Sequence, residues 1–247
     1  MPNEPTVGIH DEGGISPEAA IDGITQMTKV NSEDPYVYNT LDASKSQIRV
    51  LILYPSEDPD DPITAGLFTQ SLDEIAYTTT PTWKPYSALS YTWGLPVFDG
   101  SIILDGKSFP VTISLETALR AMRSRSSDPS LTMSTAFTYS ATGATAGPTY
   151  WWIDQICINQ MDIDERNNQV ALMRRVYKRA ASVQVWLGPE ADESDTAIDL
   201  ISTLGASPVR QPGEKDIEYP SFNVEEVEEH WQALVCLFRR PWWERVW

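Results

Sequence analysis

Asp154, Asn159, Gln160, Glu165 and Arg166 fall close together in the stretch YWWIDQICINQMDIDERNNQVALMRRVYKRAASVQVWLGP, Tyr150 to Pro189. A guanidinium among carboxylates and carboxamides can close an ion pair or hold an anionic ligand, so the elements that carry these groups decide which. Trp151 to Ile153 is a short apolar run of the kind a strand shows when both its faces are covered. Asp154 ends that run, and the turn Gln155 to Gln160 carries Cys157, Asn159 and Gln160. Asp162 with Glu165 three residues on forms a helix-capping pair, which starts a helix near Ile163. Ile163, Val170, Met173, Tyr177 and Ala180 recur at three- and four-residue steps, and Leu172 and Val176 widen that apolar face. Acids crowd the first turn and Arg174, Arg175, Lys178 and Arg179 the last turns, both favourable to the helix dipole. Val183 to Leu187 reads as the next strand. Strand, helix and strand at this spacing make a βαβ unit, with a right-handed crossover between parallel strands.

Arg166 falls on the apolar face of that helix. An arginine there is costly unless it is paired. By topology Asp154 is its nearest acidic candidate, so the pair either clamps turn to helix or helps to hold an anionic ligand. In parallel sheets, ligands bind outside the carboxyl ends of strands, which is where Asp154, Asn159 and Gln160 are expected. Tyr91, Trp93 and Gly94 occupy the same place on another strand, Pro85 to Tyr91, which ends at Thr92-Trp93-Gly94.

The remaining elements fit an α/β architecture: a central, largely parallel sheet flanked by helices, with an added β-hairpin and C-terminal helices. Ile48 to Leu53 reads as a first strand. Ser101 to Leu104 and Ser108 to Val111, joined by Asp105-Gly106, read as a hairpin, since Asp-Gly suits a two-residue turn. Ser114 is expected to cap a short helix through Met122, and Ser124 to Thr149, rich in Ser, Thr, Ala and Gly, reads as a loop or insertion. Glu193 to Leu204 and Val224 to Phe238 read as helices. Residues 1–46, with scattered acids, Pro and Gly, read as a poorly ordered extension, which places the domain at 47–247. They also lack the basic and apolar regions of a secretory signal.

Composition narrows the chemistry. A net charge of −17 over 247 residues argues against a nucleic-acid surface, which needs cations to neutralise phosphates. No apolar run is long enough to cross a bilayer. Two cysteines supply neither a disulfide framework nor the usual zinc ligand clusters, which fits a reducing cytosol. With only His10 and His230 as imidazoles, a Ser-His-Asp triad is disfavoured, and a Cys157–His230 nucleophile pair requires the fold to join them. No glycine-rich phosphate loop or dinucleotide fingerprint follows a strand.

The chain also carries YSALSYTWG at Tyr86 to Gly94, WIDQICINQ at Trp152 to Gln160, ERNNQVALMRRVYKRAASVQVWLG from Glu165, and RRPWWERVW at Arg239 to Trp247. In this order the blocks resemble the heterokaryon incompatibility (HET) domain of filamentous fungi and cover most of Ile48 to Trp247. The resemblance implies a cytoplasmic effector module of a larger signalling protein, whose activation in a fused cell of mixed genotype triggers growth arrest and death. HET domains are in turn similar to Toll/interleukin-receptor (TIR) domains, some of which cleave nicotinamide from NAD with a helix-borne Glu. On that comparison NAD is the implied substrate, the fold is TIR/flavodoxin-like, and the catalytic Glu falls a few residues past Trp247. Glu244 does not occupy the equivalent position. Arg245, in the closing segment, joins the candidate ligand or clamp residues.

The competing expectation is an interaction module that signals by self-association or by binding other protein modules. Of nine tryptophans, Trp151, Trp152 and Trp186 lie in or beside strands and suit the core, whereas Trp242, Trp243 and Trp247 are interface candidates.

Overall fold

Seven strands form one sheet in the order β5-β4-β2-β1-β6-β3-β7. They are β1 Gln47–Leu53, β2 Thr64–Ser71, β3 Ser87–Tyr91, β4 Gly100–Leu104, β5 Lys107–Val111, β6 Thr149–Trp152 and β7 Ser182–Trp186. The computed structural model describes residues 35–73, 83–125, 147–205 and 224–245. The helices among them are α1 Ile113–Arg125, the single turn α2 Asp154–Cys157, α3 Ile163–Arg179, α4 Ser194–Gly205 and α5 Val224–Phe238. The α/β class expected from the sequence is present, with mixed pairing. Three pairings are parallel (β2 with β4, β3 with β6, β3 with β7) and three antiparallel (β1 with β2, β1 with β6, β4 with β5).

Two of the three parallel pairings lie where the candidate residues are. β6 and β7 flank β3 and both run parallel to it, so the unit β6-α3-β7 crosses over an intervening strand. β1 sits between β2 and β6 and is buried along most of QIRVLIL, which explains its near-continuous apolar character. β2, TAGLFTQS, is not anticipated in the sequence. Its glycine and polar residues mask a seven-pair antiparallel register with β1, from Gln47 opposite Ser71 to Leu53 opposite Ala65. The β4–β5 hairpin closes at Asp105 and Gly106, with φ of 49° and 82°. Both angles are positive, as in a type I′ turn, and that is the reason for Asp-Gly.

Helix boundaries show where spacing misleads. Thr112, not Ser114, caps α1: Thr112 Oγ1 accepts the Leu115 amide at 3.3 Å, and Ser114 Oγ donates instead to the Thr92 carbonyl at 2.8 Å. Asp162 does cap α3, accepting the Glu165 amide at 3.0 Å. Most of the expected inner face of α3 packs inward: Val176 is buried and Leu172, Met173, Tyr177 and Ala180 pack on the core. Ile163 and Val170, at 62% and 54% exposed, are the exceptions, and Gln169 is buried where the apolar pattern did not mark it. Trp152, fully buried, meets Tyr177 edge-on at 5.6 Å between ring centres. α4 and α5 pack as a pair around Ala197, Ala233 and Leu237.

The packed structure extends upstream of Gln47. Tyr36, Tyr38 and Phe109 make edge-to-face contacts at 5.1–6.2 Å, and the Tyr38 hydroxyl donates to the Ile156 carbonyl at 2.9 Å. Residues 1–34 and most of the expected loop Ser124 to Thr149 lie outside the described residues.

Candidate functional site

β3 and β6 end side by side, and their carboxyl ends bring together Tyr91, Trp93 and Asp154. After β3 the chain turns through Thr92 and Trp93 to Gly94, whose φ of 73° is the left-handed conformation that glycine adopts without strain. That turn aims the Trp93 indole at the neighbouring strand end, where Nε1 donates to Asp154 Oδ1 at 3.1 Å. Asp154 opens α2, and the same Oδ1 accepts the Gln155 amide at 2.8 Å. Gln155 is itself buried and joined to Thr112, since its Oε1 accepts the Thr112 amide at 3.0 Å. Asp154 is therefore held from two sides.

The closing residues reach back to the same place. After α5, Pro241–Glu244 form a short 3₁₀ turn that the fixed φ of Pro241 starts. Trp242 Nε1 donates to Ser90 Oγ at 3.0 Å, and Arg245 Nη1 donates to the Tyr91 carbonyl. Tyr177 donates to the Leu89 carbonyl at 3.1 Å, completing a rim of three aromatic side chains and one guanidinium around the strand ends.

Burial pushes the Asp154 carboxyl above its ordinary value, opposed by the Trp93 N–H, the Arg245 cation, the Gln155 amide and the Tyr91 hydroxyl. Asp154 nonetheless keeps part of its surface open to solvent. Tyr91 is 1% exposed, and burial, followed by the negative charge of Asp154, holds its phenol well above the usual range. Tyr91 and Asp154 are close enough to perturb one another, but the Tyr91 hydroxyl completes no hydrogen bond of good geometry. Burial and Asp154 likewise push Tyr177 up to about 12.

The expected pairing of Arg166 with Asp154 is not formed. Arg166 is half-buried and Nη1 donates to the Gln160 carbonyl at 3.4 Å. The arginine that the fold buries beside this turn is Arg49 of β1; Arg123 of α1 is buried as well, on the carbonyls of Asp58, Pro59, Asp61 and Pro62. Arg49 Nη1 and Nη2 meet Glu165 Oε1 and Oε2 at 2.6 and 2.8 Å, and they also donate to the carbonyls of Cys157 at 3.1 Å and Asn39 at 2.6 Å. The Arg49 guanidinium lies over the Tyr38 ring at 4.6 Å. Glu165 further accepts the Asn159 amide at 2.7 Å, and the Asn159 side chain accepts the Met161 amide at 3.2 Å. Gln160 Nε2 donates to the Asp154 carbonyl at 2.9 Å. Glu165, Asn159 and Gln160 thus serve the turn between α2 and α3. The signal for Arg49 was a lone cation inside an otherwise apolar strand, QIRVLIL, which demands a buried partner.

Two open hollows border this clamp, one lined by Tyr36, Asn39, Leu67 and Phe68, the other by Thr40, Asp162, Glu165 and Asn168; Asp154 lines neither. Trp243 is 43% exposed and packs on Phe238 at 4.7 Å, while Trp242 is half-buried and Trp247 lies outside the described residues. No cluster of three or more His, Cys, Asp or Glu that could hold a metal occurs among the described residues.

Cys157 is fully buried and burial pushes its thiol up to about 12, which removes it as a nucleophile near neutral pH. Cys236 is partly exposed. In a thiol titration with a chromogenic disulfide at pH 8, Cys157 is therefore expected to stay unreactive in the native protein and to react in denaturant. Native reactivity equal to that of Cys236 would contradict its burial.

The family model described as "Heterokaryon incompatibility protein (HET)" matches residues 86–247. The protein "Heterokaryon incompatibility protein 6, OR allele" of Neurospora crassa is 31% identical over 225 residues, 87% of this chain and 28% of that protein. The chain thus spans under a third of the length of the relative it matches. No solved structure matches it. The matched region contains β3, the α2–α3 turn, the β6-α3-β7 unit and the closing tryptophans, which are the parts that build the strand-end cluster. The chain belongs to the heterokaryon incompatibility (HET) family.

Proposed function

We propose that this HET domain is a cell-death effector module of fungal non-self recognition, and that the carboxyl ends of β3 and β6 take NAD or a closely related nucleotide. The observation that carries this reading is the convergence of Asp154, Tyr91, Trp93 and Arg245 at adjacent parallel strand ends. Ligands of open α/β sheets bind at such ends. The indoles of Trp93 and Trp242 offer flat apolar faces for a base or a nicotinamide ring. Arg245 is a cation beside them, and a carboxylate in reach can steady an oxocarbenium-like sugar centre in glycosidic cleavage. Asp154, held by Trp93 and Gln155, is assigned to binding and orientation in this reading.

The test follows NAD loss over time with purified, concentrated protein, both as residues 1–247 and with further residues after Trp247. NAD loss that Asp154→Asn reduces at least about tenfold supports the reading. Undiminished NAD in every preparation, with folded protein, rejects it.

A second reading, a self-associating interaction module, has its own observation. α4 and α5 expose Ile198, Ile201, Trp231 and Phe238 at 41–53%, beside Trp243. Large apolar side chains left exposed on two paired helices favour an interaction surface when they form one patch. Concentration-dependent sedimentation without NAD loss favours this second reading.

A further inference from the structure

α5 carries two apolar faces, and the packing against α4 covers one of them. Ala233 and Leu237 are buried with Ala197 of α4, and Leu234 packs beside them. Trp231, Val235 and Phe238 stand about a third of a turn further round the helix. They are exposed at 53%, 39% and 50%. Steps of four and then three residues put them in one line along the helix, where such positions are surface neighbours. Trp243 prolongs the line: it is 43% exposed and its ring lies 4.7 Å from that of Phe238. Its N–H already donates to the Leu237 carbonyl at 2.9 Å, so what Trp243 offers a neighbour is ring surface. An apolar stripe of helical spacing is the kind of surface that a second amphipathic helix covers.

Charge says which helix. The stripe begins at Glu228, one turn before Trp231, and ends beside Arg239, the residue after Phe238; both are exposed. Arg240 is engaged by the carbonyls of Leu187, Pro189 and Ala191, so Arg239 is the cation that this end of α5 presents. A stripe that is acidic at one end and basic at the other is complementary to itself turned end for end. Laid antiparallel, two copies of α5 set Glu228 of each near Arg239 of the other, and Trp231 of each against Val235 and Phe238 of the other. Laid parallel in register, they set Glu228 on Glu228 and Arg239 on Arg239, which like-charge repulsion opposes.

We propose that the exposed face of α5 pairs antiparallel with the same face of a second copy of this chain, about a two-fold axis midway along the stripe. The proposal rests on the self-association reading above and names its partner and its face. Both copies use the same patch, so the assembly closes at the dimer and does not grow into filaments. A single helical stripe falls below the roughly 800 Å² per partner of stable complexes, so the dimer is expected to be weak, in the micromolar range or above, and to respond to local concentration.

Sedimentation velocity of the full chain up to millimolar concentration measures the dimer. Salt of about 0.15 M screens the net repulsion of two acidic chains beyond roughly 8 Å and leaves contact pairs in place. Trp231→Glu is expected to weaken the dimer at least about tenfold, because it puts a charge in the seam. Glu228→Arg and Arg239→Glu are each expected to weaken it about threefold or more, and the double variant, which swaps the two charges, to return within about twofold of the wild type. All three positions are exposed, so the melting temperatures should stay near that of the wild type. A dimer indifferent to Trp231→Glu overturns the α5 interface and leaves the self-association reading standing. Charge variants without effect, or without rescue in the double variant, overturn the antiparallel pairing. Folded protein that stays monomeric at every concentration overturns both the interface and the self-association reading.

Discussion

Replacing Arg49 by Ala is expected to lower folding stability by about 3–5 kcal/mol, the cost of breaking a buried ion pair by removing one partner. The Arg49 side chain is 3% exposed and that of Glu165 11%, so solvent cannot take over the lost contacts. Four partners are affected at once. The Glu165 carboxylate loses both guanidinium bonds and keeps only the Asn159 amide and its place on α3. The carbonyls of Cys157 and Asn39 lose their donor, and Tyr38 loses the cation on its ring. These groups belong to β1, the α2–α3 turn, the start of α3 and the segment before β1, so the loss is felt by several elements rather than one. Against a typical stability of about 5–15 kcal/mol, a loss of that size leaves the domain marginal or unfolded at 37 °C. Arg166→Ala serves as the control. It removes one 3.4 Å bond to the Gln160 carbonyl from a half-buried side chain, and is expected to cost about 1 kcal/mol or less. Urea unfolding of both variants, read by tryptophan emission, decides the matter. Equal midpoints for the two variants would show that the clamp is not where the structure has it.

The contrast between Arg49 and Arg166 also shows what a sequence of this kind discloses. Arg166 drew attention because its neighbours in sequence are polar and its position on the helix could be counted. Glu165 then seemed to belong to the cap, yet only the Asp162 half of that capping pair forms, and the Glu165 carboxylate goes to β1. No periodicity conveys a contact between residues so far apart along the chain. The same limit hid β2. Its partner β1 was legible, but TAGLFTQS shows neither clean alternation nor a continuous apolar run, and only the pairing with β1 makes it a strand. Local chemistry was legible where it is self-contained. Asp105-Gly106 needs nothing beyond its own backbone angles, and Asp162 needs only the amide three residues on. The strand-end cluster falls between these cases. Topology places Tyr91, Trp93 and Asp154 at carboxyl ends, whereas the bonds from Trp242 and Arg245 that complete the rim depend on how α5 delivers the chain end.

Asp154→Asn is expected to raise stability at pH 7 relative to the wild type, and to lose that advantage on acidification. The asparagine side-chain oxygen can still accept from the Trp93 indole and the Gln155 amide, so the framework of the strand ends survives. What disappears is the ionisation. Burial raises the folded carboxyl above its unfolded value of 3.8, so the native state binds this proton more tightly than the unfolded chain does. The contribution of Asp154 to stability is therefore fully present below pH 3.8 and is lost as pH rises through the folded value. At pH 7 the wild type carries the cost of a buried charge that Arg245 and the N–H donors offset only in part. Asparagine carries no such cost, and each kcal/mol recovered should lift the melting temperature by about 2–4 °C in a domain of this size. Because many other carboxylates titrate in this chain, the quantity to measure is the difference in melting temperature between variant and wild type from pH 7 down to pH 3.5. It should be positive at pH 7 and shrink toward zero. A variant that is less stable at pH 7 would mean that the ionised carboxylate holds the fold together through Arg245, and would make Asp154 a structural anchor. A more stable variant that no longer consumes NAD would mean the opposite: the carboxylate is kept at a cost to the fold because a ligand needs it.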